Sequence, residues 1–174
     1  MSGKIILNLA ISLDGYIADE NGGYDWIIGH GNNHRLDTEN QYPFSDFKDS
    51  IDVVVMGHTC YLQGFASDYT KKKVYVASNS MQEDTENISF IKGDIISTIT
   101  KERDAGKNIY LFGGGILIDP FIKANIVDEY MISIIPTILG KGIPLFLGNN
   151  PTIALFLNKY SIEDGIIHLF YSKK

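Results

Sequence analysis

The residues best placed to do chemistry gather at apolar runs that stop at glycine or at small polar residues. Ile109-Tyr-Leu-Phe112 is followed by Gly113, Gly114 and Gly115, and then by Leu117, Ile118, Phe121 and Ile122, spaced as the buried stripe of a helix packed on a sheet. Strand, glycine turn and helix in that order bring backbone N–H groups and a helix N-terminus to a sheet's carboxyl edge, which suits an anionic group such as a pyrophosphate. The spacing G-x-G-x-x-G is absent, so tight helix–strand packing explains the three glycines equally well. A second run, Ile51 to Met56, ends at Gly57 and sets His58, Thr59, Cys60 and Tyr61 beyond it, offering imidazole, hydroxyl and N–H donors. Val74 to Ala77 ends in Ser78-Asn79-Ser80. Asp25 stands beside the only tryptophan, Trp26. Cys60 has no partnering base or metal-ligand companion and reads as a buried spectator. His30, His34 and Asp37 lack the second ligand cluster that a metal site requires, so no metal is expected.

These groups need a sheet to position them. Lys4 to Ile11 is apolar and β-rich and reads as a central strand, with Ile51–Met56, Val74–Ala77, Ile88–Ile91, Ile109–Phe112 and Tyr130–Ile135 as further strands. Ser12 to Gly23, rich in turn formers, reads as a surface loop in which Asp14 shapes the Leu-Asp-Gly turn. A helix is plausible between Arg35 and Ser50, interrupted by Pro43, and Asp94 to Ala105 is an amphipathic helix stopped by Gly106. Asp119 as N-cap with Pro120 at the first helical position competes with a helix starting at the glycines, and would leave Gly113 to Ile118 as a loop. Ile153–Tyr160 and Ile166–Tyr171 alternate around Glu163-Asp-Gly165 as a hairpin. The expected architecture is α/β: a mixed, mostly parallel central sheet with helices on both faces, ending in antiparallel strands.

The chain has 174 residues, 44% hydrophobic and 21% charged, which fits one ordinary globular domain. A net charge of −6 with no basic stripe argues against nucleic acid. No run approaches the roughly 20 apolar residues of a membrane span. A lone cysteine and no leader-like start point to the cytoplasm.

Five motifs taken together, Ala10-Ile-Ser-Leu-Asp-Gly-Tyr-Ile-Ala18, Asp25-Trp26, Val55-Met-Gly-His-Thr-Cys-Tyr61, Phe112-Gly-Gly-Gly115 and Pro136-Thr-Ile-Leu-Gly-Lys-Gly-Ile-Pro-Leu-Phe146, resemble the dihydrofolate-reductase-like superfamily. Within it the chain is most similar to the riboflavin-biosynthesis reductase branch, the RibD C-terminal domain. The resemblance spans the whole chain and implies a three-layer α/β/α fold and a reductase that moves hydride from NADPH to a small pterin-like, ribosylaminopyrimidine-like or other carbonyl or imine substrate. It implies a nicotinamide near Ala10, Leu13 and Ile17, a pyrophosphate near Gly113, Gly114, Gly115, Ile116 and Leu117, and adenosine near Gly57, His58, Thr59, Cys60, Ser78 and Asn79. Asp25 is then the expected proton donor, with Trp26 excluding water from it; an N-cap role is the alternative. Tyr16 and Trp26, and more weakly His34, are expected at the substrate. Relatives commonly carry Met-Gly-Arg-Lys/Arg-Thr-Tyr where this chain has His58 and Thr59, so the cations that would hold a 2′-phosphate are missing unless Lys92 compensates, and NADH is not excluded. A homodimer is expected by the same resemblance. The competing functions are a true dihydrofolate reductase and a binding protein that keeps the cleft without turnover.

Overall fold

The structure, a computed structural model, describes residues 1–80 and 82–174. Among the described residues, ten strands, β1 (Ile5–Ser12), β2 (Tyr16–Ala18), β3 (Val53–Gly57), β4 (Lys73–Ala77), β5 (Ile88–Ile91), β6 (Ile109–Gly113), β7 (Glu129–Ile135), β8 (Ile143–Pro144), β9 (Leu155–Glu163) and β10 (Ile166–Lys173), alternate with helices α1 (Phe44–Ser50), α2 (His58–Leu62), α3 (Ile95–Asp104) and α4 (Gly115–Lys123), plus a 3-10 turn at Phe65–Tyr69. Eight strands form one sheet in the order β5-β4-β3-β6-β1-β7-β10-β9. The first six in that order are parallel, and β10 and β9 run antiparallel at the end. All six parallel strands therefore present their carboxyl ends along one edge.

Strands buried on both faces need apolar side chains at every position, and the sequence supplies them. Ile5, Leu7, Val53, Val55, Ile109 and Leu111 pack beneath α3 and α4, against Ile95, Ile99, Leu117, Ile118 and Phe121. The intervening Ile6, Val54, Met56 and Tyr110 face the other way, against Phe47 of α1 and Ala66 and Tyr69 of the 3-10 turn. This period-2 division is what makes the helices settle on both sides. The terminal hairpin closes through Asp164 and Gly165, both at positive φ (49° and 81°), the two-residue turn that matches strand twist.

Several sequence expectations change. The Ser12–Gly23 segment is not wholly loop: Tyr16–Ala18 pairs antiparallel with Ile143–Pro144, forming a small ribbon at the carboxyl edge. The helix sought between Arg35 and Ser50 occupies only Phe44–Ser50, after Pro43, because proline disfavours helical backbone in the residue before it. The reading that put Asp119 at the N-cap is overturned. Helix α4 begins at Gly115, with Leu117 and Ile118 N–H groups bonding the Gly114 carbonyl at 3.0 Å, and runs through Pro120. Proline removes one donor, the partner of the Ile116 carbonyl, and Ile116 is 86% exposed, so that carbonyl lies where water can serve it. Asp119 instead pairs with Lys123 at 2.8 Å. Helix α3 follows expectation, with Asp94 capping the Ser97 N–H at 2.9 Å.

The ribbon is pinned by a close backbone approach. A Cβ on Gly142 would stand 2.3 Å from the Ala18 carbonyl oxygen, and that oxygen is main chain that cannot swing aside. Gly142→Ala is expected to destabilise the protein by about 2–3 kcal/mol, read as a lowered urea midpoint at unchanged slope, as for other strain-creating substitutions.

Candidate functional site

The two glycine-terminated strands lie side by side. In the register of β3 and β6, Met56 pairs with Gly113, and a Cβ placed on Gly57 would lie 3.6 Å from the Gly114 nitrogen and 3.7 Å from the Gly113 carbonyl. Gly113 has φ 133°, a conformation that a side chain would strain. Gly57 pairs in turn with Ala77, and Ala77 with Ile91, so Ser78 and Asn79 continue the same edge. On the other side, continuing the β1–β6 register two residues past Leu7–Leu111 sets Leu9 level with Gly113 and brings Ala10 just beyond it. The edge is thus an unbroken line from Ser78 through Gly57 and Gly113 to Ala10. It crosses the point where β6 enters between β3 and β1, the switch in strand order at which open α/β sheets take ligands.

Gly115 opens α4 against the ribbon: its Cβ would stand 3.0 Å from the Pro144 carbonyl and 3.6 Å from Ile17 Cδ1. Tyr16 and Ile17 are half-buried in that ribbon, whereas Leu13 and Ile116 are 64% and 86% exposed beside the edge. Ser12 and Asp14 brace the corner. The Asp14 carboxylate accepts from the Ser12 hydroxyl at 2.6 Å and from the Leu139 and Gly140 N–H groups at 3.1 and 2.8 Å. These bonds, the Ser12 hydroxyl first, hold its carboxyl below the usual range. Asp14 is therefore a turn former.

At the other end, His58 Nε2 lies 2.7 Å from the Gln82 side-chain nitrogen. Thr59 and Asn79 are exposed, and Ser78 is buried with its hydroxyl accepting the Ser80 N–H at 3.1 Å. Burial pushes the Cys60 thiol up, as befits a spectator.

Asp25 is placed differently from the expectation. It is exposed in a turn with no helix after it, so there is nothing to cap, and Trp26 does not bury it: the half-buried indole N–H donates to the Gly23 carbonyl at 3.2 Å. The turn still reaches the site, since Tyr24 packs on Phe65 (5.4 Å between rings) and Phe65 on Phe112 (5.1 Å), the residue before the glycines. His34 pairs with Asp37 at 2.9 Å, and Asp37 accepts from the Asp164 N–H of the β9–β10 turn at 2.7 Å, at the carboxyl end of β7 and several strands along the edge from the glycines. Among the described residues no three His, Cys, Asp or Glu gather as a metal site.

Sequence reasoning missed a buried polar group on the α1 face. Ser133 Oγ lies 2.7 Å from His168 Nδ1; Tyr42 stacks on His168 at 4.6 Å; Asn8 donates to the Tyr42 hydroxyl. The signal was available: Ser133 and His168 are polar residues in the inward phase of apolar strands. Burial pushes the His168 imidazole below its ordinary 6.5. The unfolded chain then binds a proton that the fold excludes, so this contribution to stability is full above about pH 6.5 and is lost as pH falls through the lowered value. Asp14 and Asp84 titrate below 3.8 and lie outside that window. The urea midpoint is expected to drop between pH 7.5 and 5.5, and less so in His168→Gln.

Two cavities of about 360 and 400 Å³ share Lys4, Glu129, Met131 and Phe170. They open at the amino ends of the strands, away from the glycines.

Known proteins resemble the chain along its whole length. Residues 94–164 match the family model described as RibD C-terminal domain. An uncharacterized protein of Bacillus subtilis (strain 168), YyaP, is 32% identical over 97% of this chain and 94% of its own. A crystal structure of a protein assigned to riboflavin biosynthesis in Shewanella sp. PV-4 superposes with a TM-score of 0.77 at 28% identity, covering 100% of this chain and 99% of that one. Dihydrofolate reductase from Enterococcus faecalis, solved with NADP(H), superposes at 0.69 and 11% identity over 100% and 98%, a likeness of fold alone.

Proposed function

The chain belongs to the RibD C-terminal domain family of the dihydrofolate-reductase-like superfamily, and from that premise we propose that it is a reductase that transfers hydride from NADPH to a small pterin-like or ribosylaminopyrimidine-like carbonyl or imine. The observation that carries this reading is the adjacency of Gly57 with the Gly113–Gly114 peptide at the switch in strand order. A side chain at either corner would fill the seam; without one, backbone N–H groups and the start of α4 stand open to a pyrophosphate. Bound there, the reduced nicotinamide supplies the hydride, and the protein's share is orientation, electrostatics and the exclusion of water.

Ala10 and the half-buried Ile17 offer small and apolar surface to the nicotinamide, and Ser78, Asn79, Gly57 and His58 line the adenosine end. Tyr16 and Trp26 serve the substrate. Asp25, on the turn linked to the site through Tyr24, Phe65 and Phe112, donates the proton once a substrate covers it. Asp25→Asn should then remove turnover and leave cofactor affinity unchanged.

The same reading includes a homodimer. The edge strand β9 is bonded on its outer side by Thr38 at Ile162, and toward its start it exposes Phe156, Leu157 and Tyr160, apolar surface that a second copy could cover. Light scattering at micromolar concentration should give twice the 19.4 kDa chain mass, and a monomer would remove this element.

The test of function is a titration of the purified protein with NADPH and with NADH, followed by a panel of pterins and aminopyrimidines. Binding with substrate-dependent loss of the reduced cofactor's absorbance supports the reductase. Binding with no turnover across the panel supports a sequestering protein that kept the cleft. Dihydrofolate as the sole substrate reduced would make it a true dihydrofolate reductase.

A further inference from the structure

A polar row crosses an otherwise apolar sheet face, and the reading above gives it no task. Ala10, Ser133, His168 and Ser161 are successive cross-strand partners on β1, β7, β10 and β9. Ser133, His168 and Ser161 are 9%, 7% and 0% exposed. Burying a hydroxyl and an imidazole is costly unless they bond, and Ser133 and His168 do. The Ser133 hydroxyl can make a further bond, and His168 is its only partner among the described residues.

The imidazole is held in a fixed plane. Tyr42 covers it with rings 14° from parallel. The Tyr42 hydroxyl is tied to the Asn8 amide, and the Tyr110 hydroxyl donates to the Asn8 carbonyl at 3.1 Å. A half-turn of the ring would keep the stack but put a carbon opposite Ser133, so the hydrogen bond itself keeps Nδ1 aimed there. The titratable or polar groups facing His168 are Tyr42 from the covering segment, Ser133 from β7 and Ser161 from β9, whose hydroxyl has no partner. Burial holds Tyr42 at about 12 and so neutral. The row's first member, Ala10, lies one residue beyond the level of Gly113, on the proposed nicotinamide end of the edge.

Resting on the reductase reading, we propose that the Ser133 hydroxyl, oriented by His168, holds the carboxamide of the nicotinamide ring seated beside Ala10, with His168 a positioning residue that acts through Ser133. Nδ1–H donates to Ser133 Oγ, which leaves the serine proton free to donate to the carboxamide carbonyl. This requires the Nδ1–H tautomer, the less favoured form of a free neutral imidazole.

The test is nitrogen NMR of the full chain labelled at histidine. His168 signals are assigned by elimination, with His30, His34 and His58 replaced singly by Gln. The expected spectrum shows His168 protonated at Nδ1. NADP+ should shift its ring signals, whereas 2′,5′-ADP, which has the adenosine half and no nicotinamide, should bind and leave them in place. Ser133→Ala should abolish the shift, weaken NADP+ about fivefold, the scale of one hydrogen bond, and leave 2′,5′-ADP affinity unchanged. An Nε2–H tautomer, an unmoved His168 at saturating NADP+, an equal shift with 2′,5′-ADP, or a shift retained in Ser133→Ala overturns the proposal while the cofactor reading stands. Failure of NADP+ to bind at all overturns both.

Discussion

Gly57→Val is expected to weaken NADPH binding by about 10- to 100-fold while the protein stays folded. Gly57 has φ −75° and ψ 160°, extended backbone that valine adopts readily. The new Cβ meets the Gly114 nitrogen and Gly113 oxygen at 3.6 and 3.7 Å, ordinary contact distances. The fold therefore tolerates the branch point, but the two γ-carbons must occupy the seam in which backbone N–H groups would meet a pyrophosphate. Losing one charge-assisted hydrogen bond of that kind costs about 1.5–3 kcal/mol, which sets the expected range. Fluorescence titration measures the affinity, and a thermal melt within a few degrees of the native protein separates lost binding from lost folding. Native affinity in a folded variant would show that the seam is not used.

His58→Arg should change which cofactor is preferred. In the native chain the side chain next to the β3 glycine is an imidazole whose Nε2 lies against the Gln82 amide nitrogen. The segment that carries Gln82 also brings Glu83, Asp84 and Glu86, and Lys92, one residue past β5, is the next cation along the chain. A guanidinium in place of the imidazole can hold a 2′-phosphate with two parallel bonds and a permanent charge, where an imidazole offers one bond. The ratio of NADPH to NADH affinity should rise about 10-fold or more, chiefly through tighter NADPH. Parallel titrations of native and variant protein measure it. An unchanged ratio would place the 2′-phosphate away from His58.

Much of the edge was legible in the sequence because glycine carries a backbone message independent of packing. Phe112-Gly-Gly-Gly115 and Met56-Gly57 announced two strand ends that side chains had to leave clear, and β3 and β6 bring them into one register. The terminal hairpin was legible for the same reason, through Asp164 and Gly165. The Pro120 ambiguity could not be resolved from local rules, since a proline one turn into a short helix is tolerable only when the orphaned carbonyl faces water, and exposure is a tertiary property. Asp25 was misread in its surroundings: adjacency to Trp26 in sequence does not bury a carboxylate when the indole turns back on its own loop. Ser133 and His168 were visible as polar residues in apolar strands, but their meeting depends on the antiparallel register of β7 and β10, which no local signal supplies. The Tyr16–Ala18 ribbon was hidden because its partner lies more than a hundred residues away at Ile143–Pro144.

A crystal structure of the protein soaked with NADP+ tests the central claim most directly. The account predicts the pyrophosphate against the backbone N–H groups of Gly114 and Gly115, with the nicotinamide beside Ala10 and the adenosine toward His58 and Ser78. A cofactor bound elsewhere, for example in the amino-edge cavity walled by Tyr42, Phe47 and Phe170, or glycine corners left empty at saturating cofactor, would contradict it.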